Sequence, residues 1–154
     1  MNFHSLYQRF AAVASYLQSP LLLILRGYWG IQFVLTGWGK LTNLTKVAGY
    51  FESLHLPAPK LMAMMAGGTE LIGGALLALG LISRFAALAL SFTMCVAYAT
   101  AERESLDAIF HNPDKFTEAT PFLFLLVSLI ILAFGPGAIS VDRAVFPETT
   151  RSKS

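Results

Sequence analysis

The sequence places ionisable side chains inside stretches that are otherwise apolar. Arg26 interrupts the apolar segment 21–38, and Glu70 lies near the middle of the apolar segment 61–82. A charge within a membrane-spanning helix costs about 2.5–3.5 kcal/mol on insertion scales, so such residues usually face the bundle interior or a wet cavity. Arg26 and Glu70 are therefore the first candidates for an intramembrane polar site, to which Gln32 and Lys40 on the first segment are added.

Three interpretations of Arg26 and Glu70 stay open at this level. Counted from the midpoints of the two segments, their axial offset is about 7–8 Å, which an arginine and a glutamate can bridge between adjacent helices. The pair would then fix the register of the two helices. Alternatively, Glu70 binds a proton, a cation or a substrate, or each side chain extends separately towards the membrane interface.

Small residues accompany these polar positions. On the first segment a single helical face, with steps of four and three, holds Arg26, Gly30, Phe33, Gly37 and Lys40. The second segment has a corresponding face with Ala63, Ala66, Glu70, Gly73 and Gly74. Small residues let membrane helices approach closely, so the pattern predicts a packing seam. The functional alternative is a seam that opens into a pocket lined by Trp29, Gln32, Phe33 and Glu70.

The aromatic side chains and the sulfur- and imidazole-containing side chains raise two questions, one about a quinone and one about a metal ion. Tyr28, Trp29 and Trp38 can stack on a quinone ring, although Trp and Tyr also anchor helices at membrane boundaries. A quinone is therefore the candidate cofactor. The methionines, Cys95 and the loop histidines lack the spacing of a known metal site, and we expect none.

The elements that position these residues are predicted to be membrane-spanning helices. A bilayer core of about 30 Å takes about 20 helical residues. Segments 21–38, 61–82 and 85–101 are three candidates, with Ser83 as the N-cap of the third. For the fourth, we expect a helix from Pro113 to Phe134, kinked at the interior Pro121.

Outside the spans, residues 2–18 show the pattern of an amphipathic helix that lies in the headgroup plane, and residues 44–54 show a second interfacial pattern. The expected organisation is an interfacial helix over residues 1–19, a four-span domain over residues 20–145 and a polar tail over residues 146–154. Lysine and arginine are balanced five to five between the two sides, and the distribution of acidic residues favours cytoplasmic termini.

Composition restricts the class of protein. Hydrophobic residues make up 55% of the 154 residues and charged residues 13%, against roughly a quarter charged in ordinary globular proteins. Such a chain is neither disordered nor a disulfide scaffold, since its one cysteine cannot close an internal bridge. A net charge of +2 with scattered charges excludes nucleic-acid binding. The lipid bilayer is the expected partner.

The order and spacing of several motifs resemble the DoxX family of small four-helix membrane proteins. The motifs are the stripe from Arg26 to Lys40, the Pro57-Ala58-Pro59 loop, Glu70 with Gly73-Gly74, Gly80 to Arg84, and the ending from Gly135 to Arg143. The segment from Thr36 to Leu44 looks closer to the HvfX branch. The resemblance implies a bacterial inner-membrane protein associated with redox or metal-stress systems, and the family carries no agreed catalytic motif.

The sequence therefore predicts an all-α protein: a four-helix transmembrane bundle with an N-terminal interfacial helix. The leading functional hypothesis is an accessory subunit of a redox or metal-stress system, with protein partners in a membrane complex and a quinone contact between spans one and two. The second is a non-catalytic scaffold that anchors soluble partners through the acidic loop 102–118. A small transporter ranks third, because four spans without an internal repeat lack the usual two-halved architecture.

Overall fold

The computed structural model describes residues 3–145, together with their side chains apart from residues 3–5 and 11–12. This part of the chain is all α-helical, as predicted. The helices are α1 (Phe3–Tyr16), α2 (Gln18–Thr42), α3 (Leu44–Ser53), α4 (Pro59–Leu79), α5 (Ser83–Thr100), α6 (Arg103–Asp107), α7 (Pro113–Glu118), α8 (Pro121–Phe134) and α9 (Val141–Val145), with a 3₁₀ turn at Ala108–Phe110. The predicted polar tail, residues 146–154, lies outside the described residues.

Within the described range, three segments are long and apolar enough to cross a membrane. They are Leu6–Thr42, Pro59–Leu79 and Ser83–Thr100. Helix α8 is strongly apolar, but its 14 residues extend only about 21 Å, less than the hydrocarbon thickness. Counting α8 as the shorter fourth, the described part of the chain has three to four apolar helices that could span a bilayer.

Helices α2, α4, α5 and α8 pack in a ring. Each helix contacts the next one, and contacts between α2 and α8 close the ring. The core lies between the four helices and holds Phe33, Leu77, Ala87, Leu90, Met94, Val127 and Ile131. By contrast, large apolar side chains such as Ile72, Phe85 and Phe92 are exposed on the outer surface. An apolar outer surface around an apolar core is the distribution that a bundle surrounded by lipid requires.

The expected long kinked helix over residues 113–134 is wrong. The chain ends α7 at Glu118, becomes extended at Ala119, and starts α8 with Pro121 in its first turn. Proline lacks the N–H that a helix interior needs and clashes with the preceding turn, whereas the first helical position tolerates it. The Phe116 carbonyl, just before the break, accepts a hydrogen bond from the Tyr98 hydroxyl at 2.8 Å.

The two segments expected to be interfacial are both helical. The described side chains of α1 are exposed, and α3 packs against α4. Their positions in the headgroup plane remain predictions.

The turn between α4 and α5 is capped differently from expectation. The Ser83 hydroxyl caps no amide; instead the Asp142 carboxylate accepts hydrogen bonds from Ile82 N at 2.5 Å and Ser83 N at 2.8 Å. Ile82 has a φ of 48°, a left-handed conformation that is unfavourable for a β-branched residue. The carboxylate from the far end of the chain therefore holds this strained turn in place.

Candidate functional site

The packing seam between α2 and α4 is a direct contact of backbones. A Cβ on Gly30 would lie 2.8 Å from the Gly74 carbonyl oxygen, and a Cβ on Gly37 would lie 2.6 Å from the Gly67 carbonyl oxygen. Neither side chain would fit without separating the helices. Gly30 and Gly37 therefore set both the distance between the two helices and their register.

This register separates Arg26 from Glu70, whose pairing was one of the three interpretations left open by the sequence. Since Gly30 lies opposite Gly74 and Gly37 opposite Gly67, Arg26 is level with the end of α4. It is then about eight residues, or about 12 Å, from Glu70 along the axis. The interpretation in which Arg26 and Glu70 form an ion pair is therefore wrong, because the offset is about one and a half times the one that the span midpoints suggested.

Glu70 pairs with Lys40 instead. The Lys40 ammonium donates a hydrogen bond to Glu70 Oε2, and the two side chains form an ion pair across the seam. The Glu70 side chain is 3% exposed, whereas that of Lys40 is 30% exposed. The pair thus joins a buried carboxylate to a cation that reaches the outer surface near the end of α2.

Gln32 and Thr36 lie between the two polar positions of α2 without joining the ion pair. The Thr36 hydroxyl donates to the Phe33 carbonyl at 3.0 Å. Gln32 is half-buried, and in the part of the chain that the structure describes its amide forms no hydrogen bond with Lys40 or Glu70. The structure therefore brings together two of the four candidate polar residues.

The aromatic residues of the expected pocket pack against one another. Phe33 is fully buried, and both Trp29 and Phe33 make edge-to-face contacts with Phe124 of α8, with ring centroids 4.9 Å and 4.7 Å apart. On the other side, the Phe33 Cβ lies 2.6 Å from where a Cβ on Gly74 would be. At these positions ring and backbone contacts close the seam. The accessible polar atom of the site is the Lys40 ammonium at its edge.

Arg26 belongs to a second polar cluster at the opposite end of the bundle. Its guanidinium donates to the carbonyl of Ile139 and occupies the space where a Cβ on Gly80 would be. The Asp142 carboxylate lies within electrostatic reach. Although Arg26 is only 2% exposed, its Nε and Nη1 atoms have no hydrogen-bond partner among the described residues.

Sequence reasoning missed this cluster because its parts are distant in the chain. Asp142 and Ile139 were noticed only as part of the ending that resembles the family. A usable signal was Asp142 itself, a lone carboxylate that follows two turn glycines and ends a long apolar stretch. Buried arginines require compensation, and this acid is available to provide it. Among the side chains that the structure describes (residues 6–10 and 13–145), no group of three or more His, Cys, Asp or Glu is arranged to hold a metal ion.

Comparison with known proteins gives one family and several distant relatives. The DoxX family model matches residues 21–103, which contain the whole α2–α4 seam. The "Putative oxidoreductase CatD" of Bacillus subtilis is 31% identical over 124 residues, 80% of this chain and 86% of the relative. The "Inner membrane protein YqjF" of Escherichia coli is 29% identical over 130 residues, 79% of this chain and 89% of the relative.

A third relative is an uncharacterized membrane protein of Mycobacterium tuberculosis, 29% identical over 143 residues, which are 85% of each chain. No solved structure matches the chain.

Proposed function

Because the chain belongs to the DoxX family of membrane proteins, we propose that it is an accessory inner-membrane subunit of a redox system, with the Lys40–Glu70 pair as its functional site. In this proposal the pair takes up and releases a proton for a redox partner in the same membrane complex. The association of the family with metal stress remains an expectation from resemblance alone.

The burial contrast within the ion pair carries the proposal. A carboxylate at 3% exposure is held in the seam by an ammonium at 30% exposure. A purely structural pair would gain little over apolar packing, since the desolvation of buried charges offsets most of their attraction. A buried carboxylate connected to the surface by a single cation is instead the arrangement expected of a proton-exchanging site.

The relatives support the redox part of the proposal. One of them is named as an oxidoreductase and another as an inner membrane protein. Both cover about four fifths of this chain, so the comparison extends beyond the α2–α4 pair.

A quinone would reach this site only from its lipid-facing edge, because the seam is closed. There Lys40, whose side chain is 30% exposed, offers an ammonium donor. An ammonium group can donate to a quinone carbonyl oxygen. Trp38, which is 60% exposed, lies two residues earlier on a different face of α2 and does not adjoin the pair.

The test compares purified protein with variants that remove one charge at a time. Quinol oxidation and binding of a quinone analogue are measured for the parent, Glu70→Gln and Lys40→Met. Glu104→Gln and Lys115→Met are the matched controls, since they break an ion pair whose Glu104 is fully exposed to solvent. The proposal expects activity or binding in the parent and the controls and its loss in both seam variants.

If the folded parent protein neither oxidises quinol nor binds the analogue, alone or with its co-purified membrane partners, the redox proposal is refuted. Seam variants that keep full activity would instead leave the pair with a structural role only.

A second candidate function is a scaffold that anchors soluble proteins. The segment 102–118 folds into α6, a 3₁₀ turn and α7, and it is fastened to the bundle by the stacking of Phe116 on Tyr98 at 4.8 Å. At its tip Phe110 is 89% exposed, and acidic side chains lie on both sides of it in the sequence. An exposed aromatic side chain on an ordered, charged platform is a suitable docking residue.

Phe110→Ser tests the scaffold function without disturbing the bundle. It should abolish capture of soluble partners in a pull-down while the thermal unfolding temperature stays unchanged. Tyr7→Ser, which also removes an exposed aromatic ring but from α1, is the control. Unchanged capture by Phe110→Ser and by a variant lacking residues 102–118 would exclude this function.

The finer topology is part of the same proposal. We infer four spans, with α8 as the fourth and both chain ends on the cytoplasmic side. Antiparallel packing of α5 and α8 supports this count: the start of α5 and the end of α8 lie together, as do Tyr98 and Phe116 at the other end. Reporter fusions at residue 101 and at the C-terminus should report opposite sides of the membrane, and equal signals would exclude four spans.

A further inference from the structure

A cavity at the Arg26 end of the bundle has no part in the Lys40–Glu70 site. It is a partly open cavity of about 490 Å³ between the start of α2, the α4–α5 turn and the segment that follows α8. Its polar lining includes Gln18, Ser83, Arg84, Asp142 and Arg143. The volume is that of a small-molecule site and suits a polar headgroup.

The charged lining of the cavity is positive. Arg84 and Arg143 both line it, and neither guanidinium has an ion-pair or hydrogen-bond partner in the part of the chain that the structure describes. The single acid, Asp142, is already used by the amides of Ile82 and Ser83. Two arginines without an ion-pair partner among the described residues therefore line the cavity, and the acid beside them is held by backbone amides.

One further donor at this end of α5, the Ser83 hydroxyl, lacks a partner in the described part of the chain. The Ser83 hydroxyl is fully buried at the cavity wall and has no hydrogen-bond partner among the described residues. It lies at the N-terminus of an 18-residue helix, where the backbone dipole favours negative charge. Buried polar groups without partners are uncommon, so this hydroxyl adds an unsatisfied polar group to the wall of the cavity.

The rim of the cavity identifies the source of the anion. Ile82 and Phe134 line it and are 46% and 64% exposed, so apolar surface lies directly beside the two guanidinium groups. A soluble phosphate has no apolar group that could contact this rim, whereas a phospholipid carries acyl chains beside its phosphate. Basic pockets between transmembrane helices bind anionic headgroups in this way.

We propose that this cavity is a binding site for the phosphate of an anionic phospholipid headgroup. Arg84 and Arg143 hold the phosphate oxygens as charge-assisted donors, and the acyl chains leave past Ile82 and Phe134 along the outer surface of the bundle. The bound lipid bridges the start of α5 to the segment after α8, and so it stabilises the loop that covers Arg26.

The experiment uses the full-length protein in mild detergent and native mass spectrometry with phosphatidylglycerol and phosphatidylcholine. The parent should retain phosphatidylglycerol in preference. Arg84→Gln and Arg143→Gln should each weaken that retention about tenfold, as the loss of a charged hydrogen bond predicts, and the double variant further. Lys46→Gln combined with Arg103→Gln removes two exposed charges elsewhere and is the matched control.

Three results would overturn the proposal: equal retention of the two lipids, equal weakening by the control pair, or displacement of the lipid by millimolar glycerol phosphate, which would identify a soluble phosphate site instead. If Arg84→Gln fails to accumulate, Arg143→Gln decides alone, because Arg143 lies exposed on the short terminal helix α9. Thermal unfolding in phosphatidylcholine alone should not distinguish the variants from the parent.

Discussion

The Lys40–Glu70 pair makes an asymmetric prediction about stability. Lys40→Met leaves a carboxylate of 3% exposure without its partner, and the loss of one partner from a buried pair costs about 3–5 kcal/mol. Glu70→Gln leaves a lysine whose side chain is 30% exposed and whose stem can turn the ammonium towards the interface, so we expect a loss of about 1 kcal/mol. The double variant should be no less stable than Glu70→Gln.

Thermal unfolding of purified protein in one fixed lipid–detergent mixture measures the difference. At about 2–4 °C per kcal/mol for a chain of this size, Lys40→Met should lower the Tm by about 6–20 °C and Glu70→Gln by about 2–4 °C. Lys115→Met, at the exposed pair, should change it by less than either. A larger loss for Glu70→Gln than for Lys40→Met would refute the burial reasoning, as would a loss for Lys40→Met no larger than that of the control.

Three further predictions concern other parts of the molecule. Gly37→Ala places a methyl group 2.6 Å from a carbonyl oxygen of α4 and should cost about 1–3 kcal/mol in thermal unfolding, whereas Gly39→Ala on the same helix meets nothing within 4 Å and should be neutral or stabilising; equal effects would contradict the seam. Asp142→Ala removes the two hydrogen bonds that cap α5 and should cost about 1–2 kcal/mol, with faster hydrogen exchange confined to the start of that helix. The pKa of Glu104 lies below its ordinary value because Lys115 donates a hydrogen bond to it and adds a positive charge; the contribution of this pair to stability is present at neutral pH and is lost as the pH falls through the lowered pKa. Lys115→Met should return that pKa towards its ordinary value in a carboxyl NMR titration, and an unchanged titration would exclude the contact.

The seam between α2 and α4 shows what a local sequence pattern can predict and what it cannot. The steps of four and three from Arg26 to Lys40 predicted the buried face of α2, and Arg26, Gly30, Phe33 and Gly37 are all buried there. The pattern did not contain the register between α2 and α4. Register depends on which glycine meets which carbonyl, and that contact exists only once both helices are packed.

The prediction of one long kinked helix over residues 113–134 was wrong for a related reason. Asn112 and Pro113 correctly predicted a helix start, since the Asn112 side chain accepts from Lys115 N at 3.4 Å. Whether Pro121 would kink a helix or begin a new one depended on the surroundings of the break. Tyr98, on another helix, supplies the donor for the freed carbonyl of Phe116, and no local rule contains that partner.

The sequence by itself determined that this is a membrane protein, that it is helical, and which faces α2 and α4 bury. These features depend on composition and on a period of 3.6 residues. Only the tertiary structure decided which charges meet. Charge pairing depends on axial offsets of a few ångströms between elements far apart in the chain: Glu70 with Lys40 across the seam, and Arg26 with the segment that holds Ile139 and Asp142.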